Sequence, residues 1–333
     1  MKKWFLWLVG GVCLACTPKA SVEDTGPDPD TQQPEDTQTD TSSETGEDSG
    51  RETGDTSEPT DTAVELAWQQ VSTGRIDSCA IRNNGEGSCW GKDEFYQSYF
   101  PEAHLVAIST GDAHVCGLDE TGLAQCWGPQ GGDQGFGQVS DAPAAPFTQI
   151  TSGTHHSCGL TESNNLHCWG KNESGESTPP DLRFTQVAAG ASHTCGLTED
   201  NRVVCWGDSS NERIEAPAGL FDAIDVGREH ACAVESGTQE VTCWGNNPAG
   251  QTDVPENTTG TQVAAGGEHS CVLTPTGTVE CWGSNADGQT DAPTATFTQI
   301  DAGWRHNCGL TTDSTVLCWG YDKYDQAQPP ALR

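Results

Sequence analysis

Residues 147–177 read FTQITSGTHHSCGLTESNNLHCWGKNESGES. The run 147–150 is β-prone, Gly153 breaks it, 156–160 alternates, 161–165 is rich in turn formers, and 166–169 is β-prone again. The reading is a strand followed by a hairpin. Cys158 and Cys168 stand symmetrically about Ser163, so antiparallel pairing sets them opposite each other on one side of the sheet. Directly opposed Cα atoms lie about 4.5 or about 5.5 Å apart, according to the hydrogen-bonding class of the pair, and a disulfide spans either distance.

The hairpin recurs. Cys-Trp-Gly begins at Cys89, Cys126, Cys168, Cys205, Cys243, Cys281 and Cys318, at steps of 37, 42, 37, 38, 38 and 37 residues. A second cysteine precedes each one: Cys79, Cys116, Cys158, Cys195, Cys232, Cys271 and Cys308, ten residues earlier in six copies and eleven in the Cys232 copy. Each pair is therefore expected to close a disulfide across its own hairpin. Zinc sites usually space paired thiols two to four residues apart, so metal ligation by these pairs is not expected. An eleven-residue ring contributes roughly 3 kcal/mol by loop-closure entropy, and seven rings at half that value rival the net stability of an ordinary domain.

Seven ~38-residue units, each a strand plus a hairpin, read as an all-β, seven-bladed β-propeller or as an open solenoid. Closure is favoured because neither end carries an atypical polar capping repeat. Residues 68–71 (WQQV) already match 297–300 (FTQI). The propeller is expected to span 64–333.

Composition agrees with a stapled fold. The 333 residues include 49 Asp or Glu against 15 Lys or Arg, for a net charge of −34, with 33% hydrophobic residues and 16 Cys. Average domains are about 45–50% apolar, so one large aliphatic core is not expected. Nucleic acid and anionic lipid surfaces are excluded as partners, since both are bound by neutralising phosphates with Lys and Arg. The cysteines point to an oxidising, extracytoplasmic compartment.

The N-terminus supports export. Lys2 and Lys3 precede an apolar stretch from Trp4 to Leu14 closed by Ala15-Cys16, the layout of a signal peptide. The run Leu14-Ala15-Cys16-Thr17 resembles a bacterial lipobox, in which the cysteine becomes the lipidated mature N-terminus. Cys13 stands where that pattern usually has leucine, and Cys13 as the anchor would put bulky Val12 at the cleavage position. Cys16 is thus the expected lipid anchor and 1–15 the removed signal, which leaves fourteen cysteines for seven bridges. An ordinary cleaved signal is the alternative. Residues 17–62 hold fourteen Asp or Glu and, above alanine in size, one aliphatic residue, Val22. Such a stretch cannot bury enough apolar area to offset the entropy of ordering it, so 16–63 is expected to be a disordered acidic linker.

The recurring pattern G-x-x-H-x-C-x-L … C-W-G-x-N-x-x-G-Q, whole in residues 266–289 (GGEHSCVLTPTGTVECWGSNADGQ), resembles the regulator of chromosome condensation repeats. It is closest to their short bacterial variant, as in a secreted β-lactamase inhibitory propeller. The resemblance covers about 67–333 and implies a seven-bladed propeller used mainly for protein binding. The nuclear founder of the family is a guanine-nucleotide exchange factor that docks on chromatin through a basic tail. Here the tail is acidic and no repeat carries a wedge-like insertion, so exchange activity is not carried over.

Two positions before the first cysteine stand His114, His156, His193, His230, His269 and His306, with Asp77 in the first copy. Presence in every blade is what a scaffold requires, so each is expected to cap a turn or bond a neighbouring blade rather than form a metal or pH device. The seven Trp beside the second cysteines are likewise expected between blades. No nucleophile motif, phosphate-cradling loop or isolated carboxylate pair is present, and no enzyme activity, cofactor or metal is expected. Function is better sought where the repeat is broken. All four tyrosines, Tyr96, Tyr99, Tyr321 and Tyr324, follow Cys-Trp-Gly in copies one and seven, joined by Phe95 and Phe100. Ring closure would make these copies neighbours and create one aromatic patch, either a partner-binding surface or packing at the seam. The expectation is a monomeric, lipid-anchored propeller at the bacterial outer membrane or cell surface that binds an unidentified protein. A carbohydrate or cell-wall binding module is the alternative, and an extracellular hydrolase ranks last.

Overall fold

The computed structural model describes residues 65–94, 97–131 and 134–331. The chain divides into Met1–Asp61 and Thr62–Arg333, and all described residues belong to the second unit. The signal, Cys16 and the linker lie outside the described residues.

Among the described residues, twenty-one strands form seven antiparallel sheets of three, each taken consecutively from the sequence. These are the seven blades. Their first strands are Trp68–Thr73, Leu105–Thr110, Phe147–Ser152, Phe184–Ala189, Phe221–Val226, Gln262–Ala265 and Phe297–Ala302. Each first strand packs against that of the next blade, and the seventh packs against the first, so the ring is closed. The second and third strands are the anticipated hairpin, with Cys158 directly opposite Cys168 and Leu160 opposite Leu166. All seven intrablade disulfides are present, with Cα atoms 4.0 or 4.1 Å apart. The cross-links thus draw opposed cysteines slightly closer than an unbridged pair.

The expected lack of one large core has a structural form: the apolar residues sit in seven separate layers between blades. Cys158 and Leu160 of blade 3, for example, meet Phe184, Val187 and Trp206 of blade 4. The first strand serves its layer through a bulge. Phe184 pairs with Thr198 but Gln186 pairs with Leu197, so Thr185 is extra and points to solvent. One added residue puts Phe184 and Val187, three apart, on the same buried side. Six first strands carry this bulge, and Gln262–Ala265 does not. The glycine of Cys-Trp-Gly has φ between 95° and 131° in every copy, a region that L side chains avoid. It turns the chain from the third strand into the loop that crosses to the next blade.

Candidate functional site

The repeated polar residues are consumed by the scaffold. His114 Nε2 lies 2.7 Å from Ser157 Oγ of the next blade, and His156, His230, His269 and His306 reach Thr194, Ser270, Asn307 and Ser78 at 2.7–2.8 Å. The hydroxyls of Ser78, Thr194 and Ser270 already donate to the carbonyls of Gln326, Glu176 and Gln251. Each facing histidine must therefore donate from Nε2, as must His269 toward the Asn307 amide oxygen. The sixth histidine, His193, faces the next blade where Ala231 replaces the hydroxyl residue. Burial drives all six rings well below the ordinary histidine range, to about 3 for His114, His193, His230 and His306 and about 4 for His156 and His269. All six are neutral, and five of them bond one blade to the next.

Tryptophan plays the companion role. Each of the seven Cys-Trp-Gly indoles donates from Nε1 to a backbone carbonyl in the loop of the preceding blade, from Trp127 to Gln97 at 3.0 Å round to Trp90 and Gln326 at 2.9 Å. The glutamine that ends the G-Q motif is buried and ties down its own loop, as where Asp287 N donates to Gln289 Oε1 at 2.8 Å. These indoles are thus committed to the interblade layers. Among the described residues, no group of three or more His, Cys, Asp or Glu is placed to hold a metal ion.

Close to the axis, Gly74, Gly111, Gly153, Gly190, Gly227, Gly266 and Gly303 form a ring. A Cβ on any of them would come within 2.2–2.7 Å of the carbonyl oxygen of the next, so only glycine lets the blades converge. The residue following each glycine is free to vary, and it reads Arg75, Asp112, Thr154, Ala191, Arg228, Gly267, Trp304. Here the sevenfold pattern ends. The Arg75 and Arg228 guanidinium carbons stand 4.4 and 4.9 Å from the Trp304 ring centroid. Beside them, at the junction of blades 7 and 1, is a cavity of about 340 Å³ lined also by Lys92, Arg305, Tyr321 and Tyr324.

The anticipated aromatic patch is only partly gathered. Tyr321 and Tyr324 meet edge to face at 6.2 Å, with Lys92 of blade 1 4.8 Å from the Tyr324 ring centre. Closure therefore does join the loops of copies one and seven here. Phe100 instead packs edge to face on Trp127 at 6.0 Å, in the layer between blades 1 and 2. Tyr99, in the same loop, is 61% exposed. Phe95 and Tyr96 lie outside the described residues. Sequence reasoning missed Arg75, Arg228 and Trp304 because it sought asymmetry among tyrosines. The signal was available in the varied position after the invariant axial glycine.

Comparison with known proteins agrees with this architecture. The model of the regulator of chromosome condensation (RCC1) repeat matches residues 147–176, 184–213, 261–289 and 297–326. No curated protein sequence matches the chain. Among solved structures, the entire ectodomain of the Physcomitrella patens receptor kinase CR4 is 27% identical, with a TM-score of 0.66 over 77% of this chain and 74% of that one. The CRINKLY WD40 ectodomain of the Arabidopsis thaliana receptor kinase ACR4 is 23% identical, with a TM-score of 0.65 over 78% of this chain and 98% of that one. Prp20p of Saccharomyces cerevisiae, a structure described with its binding to Gsp1p and histones, is 18% identical, with a TM-score of 0.57 over 67% of this chain and 73% of that one. Four copies meet the repeat model directly and the other three share their cysteines, tryptophan and register: the chain is a seven-bladed β-propeller that carries RCC1 repeats.

Proposed function

We propose that this protein is a lipid-anchored, surface-displayed propeller that binds another protein and has no catalytic chemistry of its own. The observation that carries the reading is the contrast between a scaffold that uses up the recurring Trp and five of the six recurring His and the junction between blades 7 and 1, where aromatic and cationic side chains line an open cavity. Interfaces concentrate aromatic and arginine residues in this way. RCC1-like propellers often serve protein binding, and a rigid ring presents such a surface without ordering cost on association. The repeat indoles lie between blades and are not free to stack on sugar.

The test is capture by the full chain, purified with its disulfides intact, from envelope and secreted fractions, followed by titration of the captured protein against fresh chain. Saturable one-to-one association is expected. Turnover of a hydrolase substrate panel, or glycan binding competed by free sugar with no protein captured, would replace this reading.

A further inference from the structure

We infer that the cavity between blades 7 and 1 is an anion site for a carboxylate-bearing segment of a protein partner, gripped by Arg75 and Arg228 against Trp304. The inference rests on the protein-binding reading and names the chemistry of the partner.

Charge is inverted at this place. In a chain of net charge −34, four cations, Arg75, Lys92, Arg228 and Arg305, line one cavity beside two carboxylates, Glu94 and Glu268. Lys92 is paired with Glu94, and Arg305 with Asp287 at 2.5 Å. Arg75 and Arg228 have no such partner: among the described residues neither guanidinium lies within ion-pair distance of a carboxylate or makes a hydrogen bond, and both residues are exposed. Asp112 feels both charges, yet its carboxylate accepts from Thr154 at 3.1 Å. Each guanidinium thus rests on the Trp304 ring, and its N–H donors are unspent. That is the donor set that binds a carboxylate in two parallel hydrogen bonds.

The backbone that carries these side chains is fixed. Arg75, Arg228 and Trp304 occupy one repeat position, directly after Gly74, Gly227 and Gly303, whose backbones are locked in the axial ring. Trp304 N also donates to the Gly74 carbonyl at 3.2 Å. Preorganised donors lose little entropy on binding. The size of the site selects the partner. About 340 Å³ accommodates one or two residues, with Tyr321 and Tyr324 as apolar walls for a side chain next to the carboxylate. A longer polyanion such as nucleic acid would overrun the patch onto an acidic surface and be repelled.

The experiment is fluorescence anisotropy on the full chain, using a fluorescein-labelled hexapeptide of alternating leucine and glutamate. Its glutamine counterpart and a short single-stranded oligonucleotide are titrated beside it. Saturable binding of the acidic peptide is expected, falling as salt rises from about 50 to about 500 mM. Binding is to weaken about tenfold or more for the glutamine peptide and for the Arg75→Gln/Arg228→Gln double variant. The Arg75→Lys/Arg228→Lys variant is to bind at intermediate strength at an unchanged thermal midpoint, which separates charge and geometry from misfolding. No binding of the acidic peptide, affinities within about twofold for the glutamine peptide or the glutamine variant, or preference for the oligonucleotide would each overturn the inference. If the double variant still captures the wild-type partner, the anion site falls and the protein-binding reading stands. If wild type binds the peptide yet captures no protein, the reverse holds.

Discussion

Gln299 of the last blade holds Val71 of the first by both backbone groups: Val71 N donates to Oε1 at 3.1 Å, and Nε2 donates to the Val71 carbonyl at 3.0 Å. The same fork joins Gln70 to Ile108, Gln149 to Val187, Gln186 to Ile224 and Gln262 to Ile300. Among the described residues no strand is exchanged where the ring closes, since each sheet is built from consecutive strands. The seam is one more interblade contact of the common kind.

Gln299→Ala should therefore cost what Gln149→Ala costs. Each removes two hydrogen bonds and leaves a backbone N–H and C=O unpaired, a loss of about 1–3 kcal/mol. Denaturant midpoints of the two variants check the equality, and a much larger loss at Gln299 would mark the seam as a special join. Blades 2 and 5 carry Ala107 and Ala223 at this position. Ala107→Gln supplies a missing fork toward Ile150 and is expected to stabilise by up to about 1 kcal/mol.

The disulfides should be separable staples. Peptide mapping without reduction is expected to recover only pairs within one blade, Cys232 with Cys243 among them. Removing one pair, as in Cys195→Ala/Cys205→Ala, should cost about 2–3 kcal/mol, and full reduction should unfold the ring at moderate temperature. Thermal midpoints before and after reduction measure this. A reduced chain that melts with the oxidised one would show that the interblade layers suffice.

The fold was legible because it is periodic. Cys158 and Cys168 carried their register in their spacing, and seven copies left little doubt about architecture. The bonds between blades were less so. The glutamine of F-T-Q-I recurs in the sequence, but its target is a backbone, which no side-chain pattern betrays. The cavity was harder still. Arg75, Arg228 and Trp304 come from blades 1, 5 and 7 and converge only because the axial glycines bring all first strands to one axis. The tyrosines were found by composition, yet composition could not tell Tyr324, beside the cavity, from Phe100, packed on Trp127.

Acid should weaken the ring through its histidines. His230 titrates at about 3 when folded and near 6.5 when unfolded, so between those values the unfolded chain takes up a proton that the folded one refuses. Stability is thus full above about pH 6.5 and falls by up to about 1.4 kcal/mol per pH unit for each such ring as pH drops toward its folded value. Asp225 has the opposite sign. Burial, with Asp301 nearby, pushes it up to about 7, so its contribution is full below the unfolded value and lost as pH rises through about 7. Asp225→Asn keeps an acceptor for Ala265 N and should raise the thermal midpoint at pH 8 but not at pH 4. An equal shift at both would remove the titration argument.

The proposed lipid anchor rests on one sulfur. Cys16→Ser should move the protein from the membrane fraction to the soluble exported fraction, while Cys13→Ser should leave it membrane-bound. Fractionation and the mass of the N-terminal peptide decide. A Cys16→Ser protein that remains on the membrane would refute the lipid assignment.

The two roles weighed for the aromatic residues should divide between different side chains. Tyr324 holds its loop through its backbone, N donating to Gln326 Oε1 at 2.9 Å, and alanine keeps that bond. Its ring touches Tyr321 and Lys92 and lines the cavity. Tyr321→Ala/Tyr324→Ala should therefore leave the thermal midpoint nearly unchanged and weaken partner binding about thirtyfold or more, the loss expected of hot-spot truncation. Phe100 is the converse. Its ring fills the layer between blades 1 and 2 against Trp127 and comes close enough to the Gly87 backbone that a Cβ there would lie 2.3 Å from it. Phe100→Ala opens a cavity in that layer and should cost about 2–4 kcal/mol, with binding by the still-folded protein intact. Both variants are to be measured for melting and binding on one preparation. If the tyrosine pair lowers the melting point and spares binding, the rings of blade 7 are seam packing and the partner surface lies elsewhere on the propeller.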